Sequence, residues 1–380
     1  MSSIDKHLLN SAPLPVTELS KKEQLYALIR ANPFITQQEI AAELKLSRSA
    51  VAGYIASLVR ERRLLGRAYV LPDDRPIVCV GAANLDRKLR ALGPLAMGTS
   101  NPASAIESFG GVARNIAENL ARLGAAVSLI TAVGNDTAGR ALLAHAQETG
   151  IDTRGALRLD DAGSGTYTAV LDADGQMAVA LADMALYDRI TPAFLALRQQ
   201  QRATAALIVA DLNLPHDAIA TLQQDAARDG VDLVIVAVSE PKMNRLPASL
   251  LGVRLLILNE GELAARLQRV VHGDADLAAA CAELQAQGAV DVVVTLGARG
   301  VLFTTSDGVG HLAAPPAEVV DVTGAGDAFA AAVCLSLQDG ASDLALASRR
   351  GLQLAKLTIG CRETVCPQLT PETFSALTQV

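Results

Sequence analysis

The segment Asp321-Val-Thr-Gly-Ala-Gly-Asp327 sets two carboxylates six positions apart around residues with small side chains or none. It opens an apolar helical run at 328–337. The backbone N–H groups of Gly324, Ala325 and Gly326 would then point out of a helix N-terminus, an anion site by geometry and by dipole. Asp327 would stand beside it. A carboxylate next to a bound anion is unfavourable unless it has a task. Taking the proton from a hydroxyl that attacks a phosphoryl group is such a task. A Gly-rich turn with Asp327 as a helix cap is the plainer reading of the same residues.

Other polar residues stand where short apolar runs end. Gly110-Gly111-Val-Ala-Arg114-Asn115 precedes a second helix; paired glycines allow close approach of a ligand to the backbone, and Asn115 suits sugar hydroxyls. Asn84 and Asp86 follow the first strand and suit a diol. Asp211 and Asn213 end another strand, and Thr166 and Tyr167 enter a hairpin; all four are candidate substrate contacts. Asn259-Glu-Gly-Glu262, then Thr295-Leu-Gly297 with Gly300, follow two more strands and suit phosphate, Mg²⁺ or nucleotide. Neither G-x-G-x-x-G nor a G-x-x-x-x-G-K-[ST] loop occurs. The histidines at 7, 145, 216, 272 and 311 have no metal-ligand spacing.

The elements that must carry these residues follow from periodicity. Val/Ile/Ala runs at 77–80, 128–133, 206–210, 233–238, 255–258 and 292–296 alternate with amphipathic stretches such as 115–123 and 277–287. Strands apolar on both faces with helices between them predict a doubly wound parallel sheet. Residues 166–171 and 177–181, joined by Asp172-Ala-Asp-Gly175, predict a hairpin outside that sheet.

The amino-terminal residues read differently. Residues 1–74 carry ten Lys/Arg against eight Asp/Glu, while the remainder carries 23 against 32. A basic segment on an acidic body predicts two domains, 1–74 and 75–380, joined at the proline-containing stretch 71–76. Ser20-x-x-Glu23 and Thr36-x-x-Glu39 are capping boxes, Asn32-Pro33 is a helix stop, and Ser47 is a third N-cap. Leu25, Leu28, Ile29, Ile40, Leu44, Val51, Ile55 and Leu58 form the inner faces, and 64–70 reads as a hairpin around Gly66. Three helices and a basic hairpin resemble a winged helix-turn-helix. Arg48, Ser49, Tyr54, Arg60, Arg62, Arg63 and Arg67 are its candidate contacts to double-stranded DNA. A docking module is the alternative.

Composition excludes several classes. Across 380 residues, 50% are hydrophobic and 19% charged, so most of the chain must fold. No apolar run reaches the roughly 18–20 residues of a membrane span. Five cysteines without a C-x-x-C pair argue against a disulfide framework. The first 20 residues lack an apolar signal core, so a cytoplasmic protein is expected.

Taken jointly, Gly110-Gly111 with Asn115, Asp321 to Asp327, Asn259 to Glu262, and Asn84 with Asp86 resemble the ribokinase-like (PfkB) carbohydrate kinase family over about residues 76–370. Val322 stands where threonine is usual, and Val236-Ala-Val-Ser239 lacks the usual Asp-Pro. The resemblance implies a ribokinase-like fold with a β lid that often makes a homodimer. It implies ATP and Mg²⁺ as cofactors, Asp327 as base, and the Gly324–Gly326 amides as anion hole. Glu262 and Asn259 would organise Mg²⁺ through water. Thr295, Gly297, Gly300 and Thr323 would serve the nucleotide site, and carbonyls near Asp321 and Thr323 a K⁺ site. Asn84, Asp86, Gly110, Gly111, Arg114 and Asn115 would hold the substrate. The stretches 100–120, 171–175, 182–184 and 210–213 resemble the pseudouridine kinases of that family. The alternatives are a kinase for another nucleoside or a pentose, and a transcription factor whose kinase-like domain senses its ligand. A uracil base would favour an aromatic neighbour; Phe109, Tyr167 and Tyr187 are the candidates.

Overall fold

Alternate residues of each central strand enter two different apolar layers. Val78 and Val80 join Ile208, Ala210, Ile235 and Val294 on one face. Ile77 and Cys79 join Leu207, Val209, Val234 and Val293 on the other. The sequence therefore shows unbroken apolar runs, because both faces are covered. The structure, a computed structural model, describes residues 20–31, 35–64, 75–340 and 343–377.

The chain divides into two compact units, Met1–Arg75 and Pro76–Val380. In the larger unit, an eight-stranded sheet runs in the order Gly308–Leu312, Val301–Thr305, Asp291–Thr295, Leu255–Asn259, Asp232–Val236, Leu207–Asp211, Ile77–Val80, Val127–Ile130. The last six are parallel, and the first two are an antiparallel extension. Helices His216–Asp229 and Gly273–Ala286 cover one face. Helices Val112–Arg122, Ala325–Gln338 and Leu344–Ile359 cover the other. Each fully buried Val, Leu or Ile contributes about 1.5–3 kcal/mol. Connections leave Ile77–Val80 and Leu207–Asp211 in opposite directions, which opens a crevice at their carboxyl ends.

A second sheet of four strands, Ala103–Gly110, Asn84–Ala91, Thr166–Leu171 and Met177–Asp183, forms the lid. Its hairpin turns at Asp174-Gly175, with Gly175 at φ 87°. The lid refines the placement of Asn84 and Asp86 and adds a strand that the sequence reading did not assign. Asn84 and Asp86 lie within a strand rather than a strand-end loop, and 103–110 is a strand. The run at 128–133 is also divided. Val127–Ile130 stays in the main sheet, and Ala132–Gly134 pairs with Leu157–Leu159.

The smaller unit contains helices Lys21–Ala31, Gln37–Leu44 and Arg48–Arg60. Leu25, Ile29, Ile40, Leu44, Val51, Leu58 and Leu64 form its core; Leu28 and Ile55 pack at its edge. The Thr36–Glu39 capping box closes in both directions, and Ser47 caps the third helix through the Ala50 amide. The helix stop at Asn32-Pro33, the hairpin at 65–70 with Gly66 and Arg67, and the joint at 71–74 lie outside the described residues.

Removing the Thr36 hydroxyl should cost about 1 kcal/mol. Hydrogen exchange of the Gln37–Leu44 amides in Thr36→Ala should therefore quicken about fivefold. Unchanged protection would mean that the cap does not hold this helix.

Candidate functional site

The site is assembled from the crevice upward. Asp211 ends its strand fully buried, and its two oxygens accept the amides of Ala82 (2.9 Å), Ala113 (2.9 Å) and Asn213 (2.8 Å). Burial raises its carboxyl above the ordinary range, against the pull of these amides. A side chain on Gly81 would collide with this carboxylate. Tyr187 braces the same loop: its hydroxyl donates to the Ala83 carbonyl (2.6 Å) and accepts the Ala83 amide (3.1 Å).

Asp211 thus fixes the start of the Val112–Arg122 helix. Gly111 precedes that helix at φ 98°, and a Cβ there would strike the Ala82 carbonyl. A Cβ on Gly110 would strike the Asp86 carboxylate. Arg114, expected to meet substrate, turns inward instead. Its guanidinium donates to the carbonyls of Gly110 (2.9 Å) and Phe109 (2.7 Å), to Asn115 Oδ1, and to Glu118. Glu118 also accepts Arg122, so a buried carboxylate balances the buried arginine. Asn115, oriented by Arg114, donates Nδ2 to Asp327 Oδ2 at 2.6 Å.

Asp327 lies in the first turn of Ala325–Gln338. Its carboxyl is pushed up to about 7, first by burial and then by the negative charges of Asp211 and Asp86; the Asn115 bond and the Arg114 charge oppose the rise. Asp86, bonded to Asn84 Nδ2, is pushed up to about 6 by burial, opposed by Arg114, Asn84 and Lys88. Gly324 holds the turn at φ 83°, where a Cβ would strike the Thr364 carbonyl. The Ala325 amide folds back on the Val322 carbonyl at 3.3 Å. The Gly326 and Asp327 amides belong to the helix's first turn, where no preceding turn supplies an acceptor.

Asp327 and Gly326 line a cavity of about 180 Å³ with Asn259, Glu262, Thr295 and Val236 to Val238. Asn259 and Glu262 form a capping box at the head of Glu260–Leu267, bonding each other's backbone at 2.9 and 2.8 Å. Burial raises the Glu262 carboxyl, opposed by the Asn259 amide and assisted by Glu240. Among the described residues no three His, Cys, Asp or Glu side chains gather into a metal cage. The set fits Mg²⁺ that takes the rest of its shell from water and phosphate, with Glu262 and Asp327 facing the same cavity. A larger apolar cavity of about 600 Å³ is lined by Gly297, Pro315, Val322, Leu352, Ala355 and Ile359, among others. It has the size and apolar character for a nucleotide base. Gly300 takes no part in its lining; a Cβ there, at φ 98°, would strike the Leu312 carbonyl.

Register sets Thr166 beside Leu85 and Tyr167 beside Asp86 across the lid. Tyr167 is half-buried, and its hydroxyl lies 3.9 Å from Met177 Sδ. Tyr187 is fully buried and cannot stack on a base. Phe109 packs on His145, ring centres 4.9 Å apart. Asn213 is likewise engaged: Lys242 Nζ bonds its Oδ1 and Arg245 its carbonyl. The side chains of Asp321 and Thr323, near whose carbonyls K⁺ was expected, both bond Lys88 Nζ.

In the amino-terminal unit Arg48, Ser49, Arg60 and Arg62 are exposed, while Tyr54 packs against the small core. Arg63 is engaged within the unit. Both its terminal nitrogens bond Glu23 (2.6 and 2.9 Å), and its guanidinium lies 4.1 Å over the Tyr26 ring.

Glu118, Lys88 and the helical wall of the apolar cavity were not singled out from the sequence, and Tyr187 was named only as an aromatic neighbour for a base. Glu118 carried a signal, since it follows Arg114 by four positions on one helix. Leu352, Ala355 and Ile359 share one face of their helix.

Comparison with known proteins gives two family matches. Residues 74–370 match the model of the pfkB family carbohydrate kinases, and residues 18–62 match winged helix-turn-helix DNA-binding. The uncharacterized sugar kinase YeiI of Escherichia coli K12 is 33% identical over 85% of this chain and 89% of its own length. A pseudouridine kinase of the same organism is 31% identical over 77% and 93%. Among solved structures, Arabidopsis thaliana ribokinase complexed with ribose and ATP superposes with a TM-score of 0.71 at 20% identity, over 80% of this chain and 99% of that one. That likeness shows the ribokinase-like fold. No helix of the described residues is long and apolar enough to cross a membrane.

Ionising Asp327 costs folding free energy, because the native carboxyl titrates near 7 and the unfolded one near 3.8. The native state then binds more protons between those values, so wild-type stability falls as pH rises through them. Asp327→Asn should melt higher than wild type at pH 8, and the gap should close toward pH 4. A gap independent of pH would contradict the raised carboxyl.

Proposed function

The chain belongs to the pfkB family of carbohydrate kinases, and we propose that it is a cytoplasmic kinase that transfers phosphate from ATP to the 5′ hydroxyl of pseudouridine and binds DNA through its amino-terminal unit. One observation carries the kinase chemistry. The Asp327 carboxyl, held by Asn115 Nδ2 at 2.6 Å, stands in the first turn of a helix, beside that turn's amides. The similarity to a pseudouridine kinase supports the acceptor.

In this reading Asn84, Asp86 and Asn115 hold the ribose hydroxyls, with Gly110 and Gly111 allowing close approach. Thr166 and Tyr167 border the base. The acceptor hydroxyl donates to Asp327. Its oxygen attacks the γ-phosphorus as the bond to the ADP oxygen breaks, and Asp327 takes the proton. The Gly326 and Asp327 amides, with the turn that Gly324 and Ala325 shape, stabilise the charge on the transferring group. Glu262 and Asn259 would hold Mg²⁺ through its water shell, and Thr295 and Thr323 would border the phosphates. Gly297 and the apolar cavity take the adenine. Mg²⁺, when bound, offsets phosphate charge. Ile106, Met177, Val179 and Leu181 expose apolar surface on the lid, which supports a homodimer through that sheet. Arg48, Ser49, Arg60 and Arg62 are the proposed DNA contacts.

ADP release from MgATP should be rapid with pseudouridine and slow with uridine, adenosine, ribose and fructose. Asp327→Ala should lower kcat by about 10²- to 10⁴-fold while pseudouridine still raises the melting temperature. Turnover confined to another acceptor would move the substrate. No turnover on any acceptor, with a ligand still stabilising the protein, would leave a sensor. A mobility shift on the upstream DNA of its own operon should appear and weaken with salt. No shift at low salt would leave the amino-terminal unit as a docking module.

A further inference from the structure

The turn that carries Gly324 to Asp327 is tied to the lid by one cation from this chain. Lys88 lies in the lid strand Asn84–Ala91. Its Nζ donates to Asp321 Oδ2 at 2.5 Å and to Thr323 Oγ1 at 3.4 Å. The other Asp321 oxygen accepts the Thr323 amide (2.9 Å) and hydroxyl (2.6 Å). Ammonium, carboxylate and hydroxyl thus close into one cluster at the entrance to the anion turn. Both charged side chains are partly exposed, at 37% and 27%, so the pair is held by its geometry in the cluster rather than by exclusion from water.

A K⁺ ion held by Asp321 and Thr323 does not fit this arrangement. Asp321 Oδ2 and Thr323 Oγ1 already meet a positive charge at hydrogen-bonding distance, so their side chains are not free to ligate an ion, and a second cation at the neighbouring carbonyls would be repelled by Nζ. The ammonium does what such an ion would do there: it offsets the carboxylate and fixes the turn. It differs from a free ion in one respect, because it is carried by a strand of the lid. We propose that Lys88 is a tethered cation that replaces a free monovalent ion in this kinase, so that the anion turn is set by closure of the lid. Lys88 is then a positioning residue. It acts on the Gly326 and Asp327 amides through Asp321 and Thr323. The part concerning turnover rests on the kinase reading above; the part concerning cation binding does not.

Two measurements on the full chain test this, both at constant ionic strength with K⁺, Na⁺ or tetramethylammonium as the cation. In melting experiments without substrate, wild type should melt at the same temperature in all three. Lys88→Ala and the nearly isosteric Lys88→Met should melt lower, and K⁺ should restore part of the loss by occupying the vacated oxygens. In ADP-release assays, wild type should vary by less than about twofold among the cations. The two variants should lose about tenfold or more in kcat, with a smaller change in acceptor KM, and K⁺ or ammonium should recover it. Several-fold activation of wild type by K⁺ would overturn the proposal. So would variants as active as wild type without K⁺, or a loss in both readouts that no cation relieves. If wild type turns over no acceptor, the kinase reading fails, and the melting series still decides whether Lys88 stands in for an ion.

Discussion

Asp211 is a carboxylate buried with three backbone amides as its partners, and the geometry of the site hangs on those three bonds. Three N–H groups that converge in the interior need acceptor oxygens, since each left unmade would cost about 1–3 kcal/mol. One belongs to the loop after the first strand, one to the head of the Gly-Gly helix, and one to the segment that leads to Asn213. The crevice of the sheet is thereby turned into a rigid seat. Only glycine fits at 81, 110 and 111 because the backbone and the carboxylates have been drawn so close.

From that seat a line of side chains reaches Asp327. Glu118 balances Arg114, Arg114 orients Asn115, and Asn115 bonds Asp327. The carboxylates of Asp86 and Asp327 both lie in the field of Arg114. That single cation is not enough to hold the Asp327 carboxyl at its ordinary value against burial and two neighbouring negative charges. The outcome suits proton transfer near neutral pH and costs stability in the same pH range. Such a conflict between local stability and task is what a functional site is expected to contain.

Much of this was legible in the sequence, for identifiable reasons. Strands covered on both faces announce themselves as apolar runs, and the capping boxes at Thr36 and Asn259 follow from residue types alone. The Asp-Gly turn of the lid was equally plain. The strand Ala103–Gly110 was not, because most of its residues are exposed and no face imposes alternation. The break at Thr131 was hidden inside one apolar run, where two sheets share consecutive residues. In the sequence Arg114 and Arg63 read as ligand contacts; Glu118 holds Arg114 inside, and Glu23 pairs with Arg63 at the edge of the small unit. A charge in a motif shows that a charge is needed, and only packing shows which way it points. Lys88 and Asp321, 233 residues apart, could be joined only by the fold.

The account rests on Asp327 as a base whose carboxyl titrates near neutrality. The most direct test is the pH dependence of kcat/KM for the acceptor nucleoside at saturating MgATP, which reports the essential groups of the MgATP-bound site before the acceptor binds. The account predicts a limb that falls about tenfold per pH unit below about pH 7, because protonated Asp327 cannot accept the hydroxyl proton. A rate that stayed level from about pH 5.5 to 8 would contradict it.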